Sequence, residues 1–416
     1  MKRISLDGVV SMLLLFSLLY MCVATILGLR HSSTVYAVYS LSVAAIAIER
    51  FLSHWAGGMR LQLIAIMGLI VVLVFSVVAL DAYLNADNYY VSRNASLFLT
   101  FAMPAYMMGC CCDERLAKEM VRYFDFVMIV LLGAATLYVI SGVSLRVDES
   151  GMNYQNASYV ASLSLGINLF FIRNRCKDLR FAFTQSIAYR IMQYLMIPVS
   201  ILVIVASGGR GGIVLGIVFF GVFFIITTGH SYAARAVAVI LITLLVLCLA
   251  MNVADTTVVQ RGMKRFMQIF NSGSLIRVSN AAIDSIDSRN VMRNTSMDLL
   301  NKAPYTGYGI FDYAAEISGY PHNLILELLL QGGCFYCLAT CVVIGLIVYR
   351  ALVAARNNQA MSALLVPFTQ VLTMLMFSGT YLAASTLWFL FGAFANYSIP
   401  SWEIERKRAM TLMEAR

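Results

Sequence analysis

Long uninterrupted apolar runs, each of about 17 to 22 residues, recur along most of this chain and constrain its fold more than any other feature. A run of that length spans the hydrocarbon core of a bilayer when it is wound as an α-helix. Lipid supplies no hydrogen bonds, so each run must satisfy its own backbone, and a helix does so within the segment. The runs are continuous rather than alternating, which excludes a transmembrane β-barrel. Hydrophobic residues make up 60% of the chain and charged residues 12%, with a mean hydropathy of +0.79, outside the range of a soluble domain.

The expected fold is therefore an all-α integral membrane protein with about twelve transmembrane helices. The spans read as 8–29, 34–49, 61–81, 96–113, 122–142, 157–173, 186–207, 212–228, 233–251, 332–349, 361–379 and 381–399. Residues 1–251 hold the first nine spans, 252–331 form one long polar loop, and 332–416 hold the last three spans and a tail. Met1-Lys2-Arg3 resembles the charged start of a signal peptide. The apolar run behind it is too long for a cleaved segment and no small-residue cleavage site follows, so it reads as a span.

Lys and Arg in the short loops set the orientation. Lys2 and Arg3, Arg50 and Arg60, Arg115, Lys118 and Arg122, then Arg173, Arg175, Lys177 and Arg180 all fall on one side. Arg235, Arg350, Arg356, Arg406, Lys407 and Arg408 continue the pattern. That side is expected to be cytoplasmic, with both termini there and the long loop on the opposite face. The net charge of +9 then belongs to cytoplasmic turns and anionic lipid headgroups, and no basic patch with interleaved aromatics suggests a nucleic acid partner. The nine cysteines fall mostly within spans or at their ends and read as packing residues; the long loop has none, so no disulfide framework holds it.

Chemistry has few places to be in such a chain. The loop from Asn252 to Pro321 has seven basic and six acidic residues, so individual arginines rather than bulk charge would bind an anion. Thr257 to Phe270 mixes basic and apolar residues and is expected to lie on the membrane surface. Ser285 to Lys302 is a second expected helix, and Ala303 to Gly309 a tight turn. Pro321 is expected to open a third helix that carries His322 and Asn323, bends near Gly332-Gly333 and runs into the tenth span.

His322 is the first candidate for catalysis. It heads a helix in the long loop, and an unperturbed imidazole (pKa about 6.5) can accept a proton from a sugar hydroxyl. The plainer alternative is a histidine satisfying a local hydrogen bond at the interface. Arg210 lies in Ser207-Gly208-Gly209-Arg210-Gly211-Gly212, where glycines would let a ligand approach the backbone and a helix start would offer N–H groups to an anion. A guanidinium there can hold phosphate oxygens in a bidentate fork; otherwise it is an interfacial arginine in a glycine turn. Arg289 and Arg293, one helical turn apart, would grip a second phosphate or a sugar acid, or else form a solvated face. Asn323 joins the candidate substrate-binding residues. Glu327 would orient a partner group or serve as a structural cap.

These residues together resemble the O-antigen ligase and O-antigen polymerase superfamily of bacterial polysaccharide assembly. The resemblance rests on Arg210 within its glycines, Ser288-Arg289 through Pro304-Tyr305-Thr306-Gly307-Tyr308-Gly309, and Pro321-His322-Asn323-Leu324-Ile325-Leu326-Glu327 with Gly332-Gly333. It covers about Ser207 to Gly333. It implies a GT-C-like integral membrane glycosyltransferase of the bacterial inner membrane, needing no metal or other cofactor, with its active site on the periplasmic face. It also implies an undecaprenyl-pyrophosphate-linked glycan as donor, and a lipid-linked glycan or the lipid A core as acceptor. The family's essential histidine maps to His322 and its arginines to Arg210 and Arg289. The Tyr-Pro-His-Asn form of the motif and the lack of a tryptophan near Arg289 lean towards polymerase over ligase, with a chain-length regulator as a further partner to consider. A transporter or flippase is the rival from another class, but its midplane charges and repeated halves are not evident in the sequence.

Overall fold

The computed structural model describes residues 19–29, 32–140, 152–174, 179–181, 183–226 and 283–398. Among the described residues there are helices and turns but no strand. Five helices among the described residues are long and apolar enough to cross a membrane, and two shorter apolar ones accompany them. The helical membrane class expected from the sequence therefore holds. The expected span at 233–251 and the surface helix at Thr257 to Phe270 lie outside the described residues.

The chain runs through α1 (Leu19–Leu27), α2 (Ser33–Ala56), α3 (Leu63–Asn85) and α4 (Tyr89–Leu97). A π-helical stretch, Phe98–Ala102, joins α4 to α5 (Met103–Cys110). Then come α6 (Glu114–Ile140), α7 (Tyr154–Arg173), α8 (Ile187–Ser207) and α9 (Arg210–Ile226). The loop supplies α10 (Ile283–Lys302) and the short α11 (Tyr313–Ile317), and α12 (Leu324–Asn357), α13 (Gln359–Leu375) and α14 (Ser385–Asn396) follow.

Several helices outrun their apolar runs because polar residues cap and extend them. Ser32 Oγ accepts the Val35 N–H at 3.3 Å, and α2 continues through Glu49, Arg50 and His54. Asp113 Oδ1 accepts the Leu116 N–H at 2.7 Å, so Arg115, Lys118 and Arg122 are helical rather than in a turn. Arg350, expected as a loop charge, is within α12 and donates to the carbonyls of Phe394 (3.0 Å) and Tyr397 (2.6 Å). Each case shows a charged helix end where the hydropathy pattern alone places a loop.

At the centre is α7, packed against α6, α8, α9 and α13. It buries Ser158, Ser162 and Ser164, whose hydroxyls donate to carbonyls, as polar groups must when no water reaches them. The second close pairing is α5 with α14. A Cβ on Gly109 would fall 2.0 Å from the Phe389 carbonyl oxygen, and one on Gly392 would fall 2.4 Å from that of Tyr106. Small residues are what let two backbones approach this closely in a membrane. The outer faces of α3 and α12 expose Leu63, Val77, Leu84, Phe335 and Leu338, as expected of surfaces against lipid.

One charge was not anticipated among the spans. Asp125 of α6 is fully buried, and Arg180 pairs with it, Nε to Oδ2 at 2.9 Å. Arg180 is thus no solvated turn residue. Its guanidinium also donates to Gln193 Oε1 at 3.0 Å and lies over the rings of Phe171 and Tyr189. The Tyr189 hydroxyl donates to the backbone carbonyl of Asp125, while the carboxylate receives both Arg180 Nε (2.9 Å to Oδ2) and Nη2 (3.3 Å to Oδ1).

Candidate functional site

The candidate site is built around the start of α12 and the break within it. Asn323 Oδ1 accepts the Leu326 N–H at 3.0 Å, a side-chain N-cap that begins the helix at Leu324. Pro321 does not open this helix, as the sequence suggested. His322 takes φ 55°, in the left-handed region, and this turns the chain between Pro321 and the cap. A non-glycine residue held there costs about 1–3 kcal/mol, and such strain clusters at functional sites. His322 is half-buried, with its ring centroid 4.4 Å from that of Tyr320.

The bend expected near Gly332-Gly333 is present, and its backbone bonds are replaced from the loop. Gly332 (φ −144°, ψ 22°) and Gly333 (φ 67°, ψ −165°) leave helical geometry. The turn at 304–309 fills the gap. Tyr308 N–H donates to the Leu330 carbonyl (2.7 Å), Gly309 N–H to that of Gln331 (2.9 Å), and Cys334 N–H to that of Pro304 (2.9 Å). Contact this close requires glycines: a Cβ on Gly307 would lie 2.5 Å from the Gln331 carbonyl carbon, and one on Gly333 2.2 Å from that of Tyr305. Two motifs that are separate in the sequence are one structural unit.

Glu327 faces inward and is 1% exposed. Its Oε1 accepts from the Tyr313 hydroxyl at 2.7 Å and from the Thr380 hydroxyl. Burial and the adjoining Glu327 carboxyl push the Tyr313 phenol well above its usual range, so it stays protonated and donates. One turn further on, Gln331 Oε1 accepts from the Tyr381 hydroxyl at 2.6 Å, and Tyr381 also meets Tyr336 at 3.0 Å between hydroxyl oxygens. Trp388 Nε1 donates to the Tyr381 carbonyl at 2.8 Å. The sequence reading missed Tyr313, Gln331, Thr380 and Tyr381. No local spacing links them, although the tight join at Gly379-Thr380 was visible.

The remaining candidates occupy other elements. Arg210 opens α9, and Arg289 and Arg293 lie four residues apart in α10, with Arg293 exposed. The expected helix at 285–302 is present within α10, and the Tyr308 hydroxyl ties it to the turn by donating to the Leu299 carbonyl at 2.9 Å. The glycines around Arg210 have a different use from the one anticipated. Gly208 (φ 71°) ends α8 in the left-handed conformation. Gly209, Gly211 and Gly212 are filled by α7: added Cβ atoms would fall 2.5 Å from Ser158 Cβ, 2.0 Å from the Tyr159 hydroxyl and 1.8 Å from Ser158 Oγ. Ser158 and Ser162 donate to the Gly209 and Gly212 carbonyls at 3.0 and 2.8 Å. The glycines thus make room for a neighbouring helix, and the four-residue spacing of the two serines is the signal that points to it.

Among the described residues no three His, Cys, Asp or Glu side chains converge to hold a metal ion. The stretch 195–341 matches the family described as O-Antigen ligase. Neither a curated protein nor a solved structure matches the chain. The matched stretch runs from α8 into α12 and contains all six candidate residues: Arg210, Arg289, Arg293, His322, Asn323 and Glu327.

Proposed function

We propose that this chain, a helical membrane protein of the O-antigen ligase and polymerase superfamily, joins undecaprenyl-pyrophosphate-linked oligosaccharide repeats on the periplasmic face of a bacterial inner membrane. The observation that carries this reading is the placement of His322. It sits in a left-handed backbone conformation at the head of a short helical piece, inside the stretch that matches the family. Both termini are proposed to be cytoplasmic, and the complete chain to have about twelve spans in a GT-C-like arrangement.

In this reading the neutral His322 imidazole takes the proton from an acceptor hydroxyl. The hydroxyl oxygen attacks the anomeric carbon, the carbon–oxygen bond to the diphosphate breaks, and undecaprenyl pyrophosphate leaves with the electron pair. In-line attack inverts the anomeric centre. Arg210 and Arg289 neutralise charge growing on the leaving diphosphate, with Arg293 as a second contact. With guanidinium groups in that role the transfer requires no metal. Asn323 fixes the helix start beside His322 and shares the acceptor contacts.

Ligase is the second reading, favoured by the description of the matching family. It differs only in the acceptor, a lipid A core instead of another lipid-linked repeat. A surface-polysaccharide gel from a strain lacking the gene separates the two. Single repeats on the core without a long ladder support polymerase; bare core with long polymer stranded on the carrier lipid supports ligase. Purified protein in detergent must also couple two glycolipids without any gradient, which a transporter cannot do. Failure of that coupling, with intact folded protein, would remove both enzyme readings.

A further inference from the structure

The helical piece Leu324 to Gln331 is isolated from the rest of α12 by the glycine pair at 332–333. A piece of about two turns has little stability of its own. Its orientation therefore depends on what grips it. The turn at 304–309 grips its last carbonyls. Its buried side is gripped by side chains: Glu327 by Tyr313 of α11 and Thr380, and Gln331 by Tyr381. Thr380 and Tyr381 belong to the connection between α13 and α14, beyond the stretch that matches the family.

We infer that Glu327, Tyr313 and Thr380 are positioning residues: they clamp the His322 end of α12 to the α13–α14 connection, which makes that connection part of the catalytic apparatus. The inference rests on the reading of His322 as the base. The glycine pair is the natural pivot, and the eight helical residues from Leu324 to Gln331 make a lever of about 12 Å at 1.5 Å per residue, with His322 just beyond its far end. A tilt of about 5° about that pivot moves that end about 1 Å. A displacement of that size can cost up to about a hundredfold in rate. Glu327 is well placed to prevent it, because its carboxyl joins the piece to two separate elements at once. Its carboxyl is buried and takes two hydroxyl donors, a geometry that favours the structural alternative for this residue.

The test compares Thr380→Val, Thr380→Ser, Tyr313→Phe and His322→Ala in detergent, using a synthetic polyprenyl-pyrophosphate-linked oligosaccharide as donor and acceptor. Rates are divided by folded protein measured by size-exclusion chromatography, so that a loss of folded material does not count. The clamp predicts that Thr380→Val and Tyr313→Phe lower kcat per folded molecule by about tenfold or more, leave the donor KM within about twofold, and that Thr380→Ser recovers most of the rate. If both hydroxyl deletions keep kcat within about twofold while His322→Ala is inactive, the clamp is wrong and the base assignment stands. A His322→Ala variant with wild-type turnover overturns the base assignment, and the clamp with it. Should Thr380→Val fail to fold, Tyr313→Phe decides alone.

Discussion

Replacing Gly333 by alanine tests whether the loop turn is locked into the break of α12. Gly333 has φ 67° and ψ −165°, a region essentially reserved for glycine. Holding alanine there costs about 1–3 kcal/mol. The new Cβ would also lie 2.2 Å from the Tyr305 carbonyl carbon and 2.7 Å from the Thr306 nitrogen, backbone atoms that cannot rotate aside. Relief requires the turn to withdraw, and the bonds from Tyr308, Gly309 and Cys334 go with it. At about 1 kcal/mol net for each of those bonds, the total is about 4–6 kcal/mol. Gly345→Ala is the control, because it lies in the same helix and an added Cβ there meets no atom within 4 Å. Alanine is the better helix former by about 1 kcal/mol, so that variant should melt at or slightly above the wild-type temperature. Thermal unfolding in detergent, followed by size-exclusion chromatography, should show Gly333→Ala lower by several degrees. If the two variants melt together at the wild-type temperature, the turn is not locked into the break.

Other perturbations follow from the same geometry. Gly212→Ala should sharply reduce folded yield, because its Cβ would lie 1.8 Å from Ser158 Oγ. Adding Ser158→Gly should restore part of the yield, measured in membranes, and no recovery would contradict the packing account. Asp125→Ala or Arg180→Ala should each cost about 3–5 kcal/mol by leaving one buried charge alone, and the double variant should cost less than the sum. Strict additivity in thermal unfolding would argue against the pair. His322→Gly relieves the left-handed strain, so its stability should stay within about 1 kcal/mol of wild type while transfer is lost. Recovery of transfer by that variant would refute the assigned role.

The membrane class, the loop helix at 283–302 and the bend at Gly332-Gly333 were legible because each depends on local pattern: hydropathy, periodicity or a glycine pair. Helix ends were less so. Arg115 and Arg350 look like loop charges in sequence, yet Asp113 caps one helix and the carbonyls of Phe394 and Tyr397 receive the other side chain. Pro321 was a reasonable helix opener, but Asn323 supplies an acceptor that proline cannot. The glycines beside Arg210 carried a true signal of close approach whose partner, α7, only the fold reveals. Asp125 and the Glu327 network were hidden for the same reason, since their partners lie 53 to 64 positions away for Thr380 and Tyr189.

The central claim is that His322 supplies the base for glycosyl transfer. Its most direct test is reconstituted His322→Ala, matched to wild type in folded protein and given lipid-linked repeats under the same conditions. The account predicts no product beyond the starting repeat. A wild-type yield of coupled glycan from that variant would contradict it.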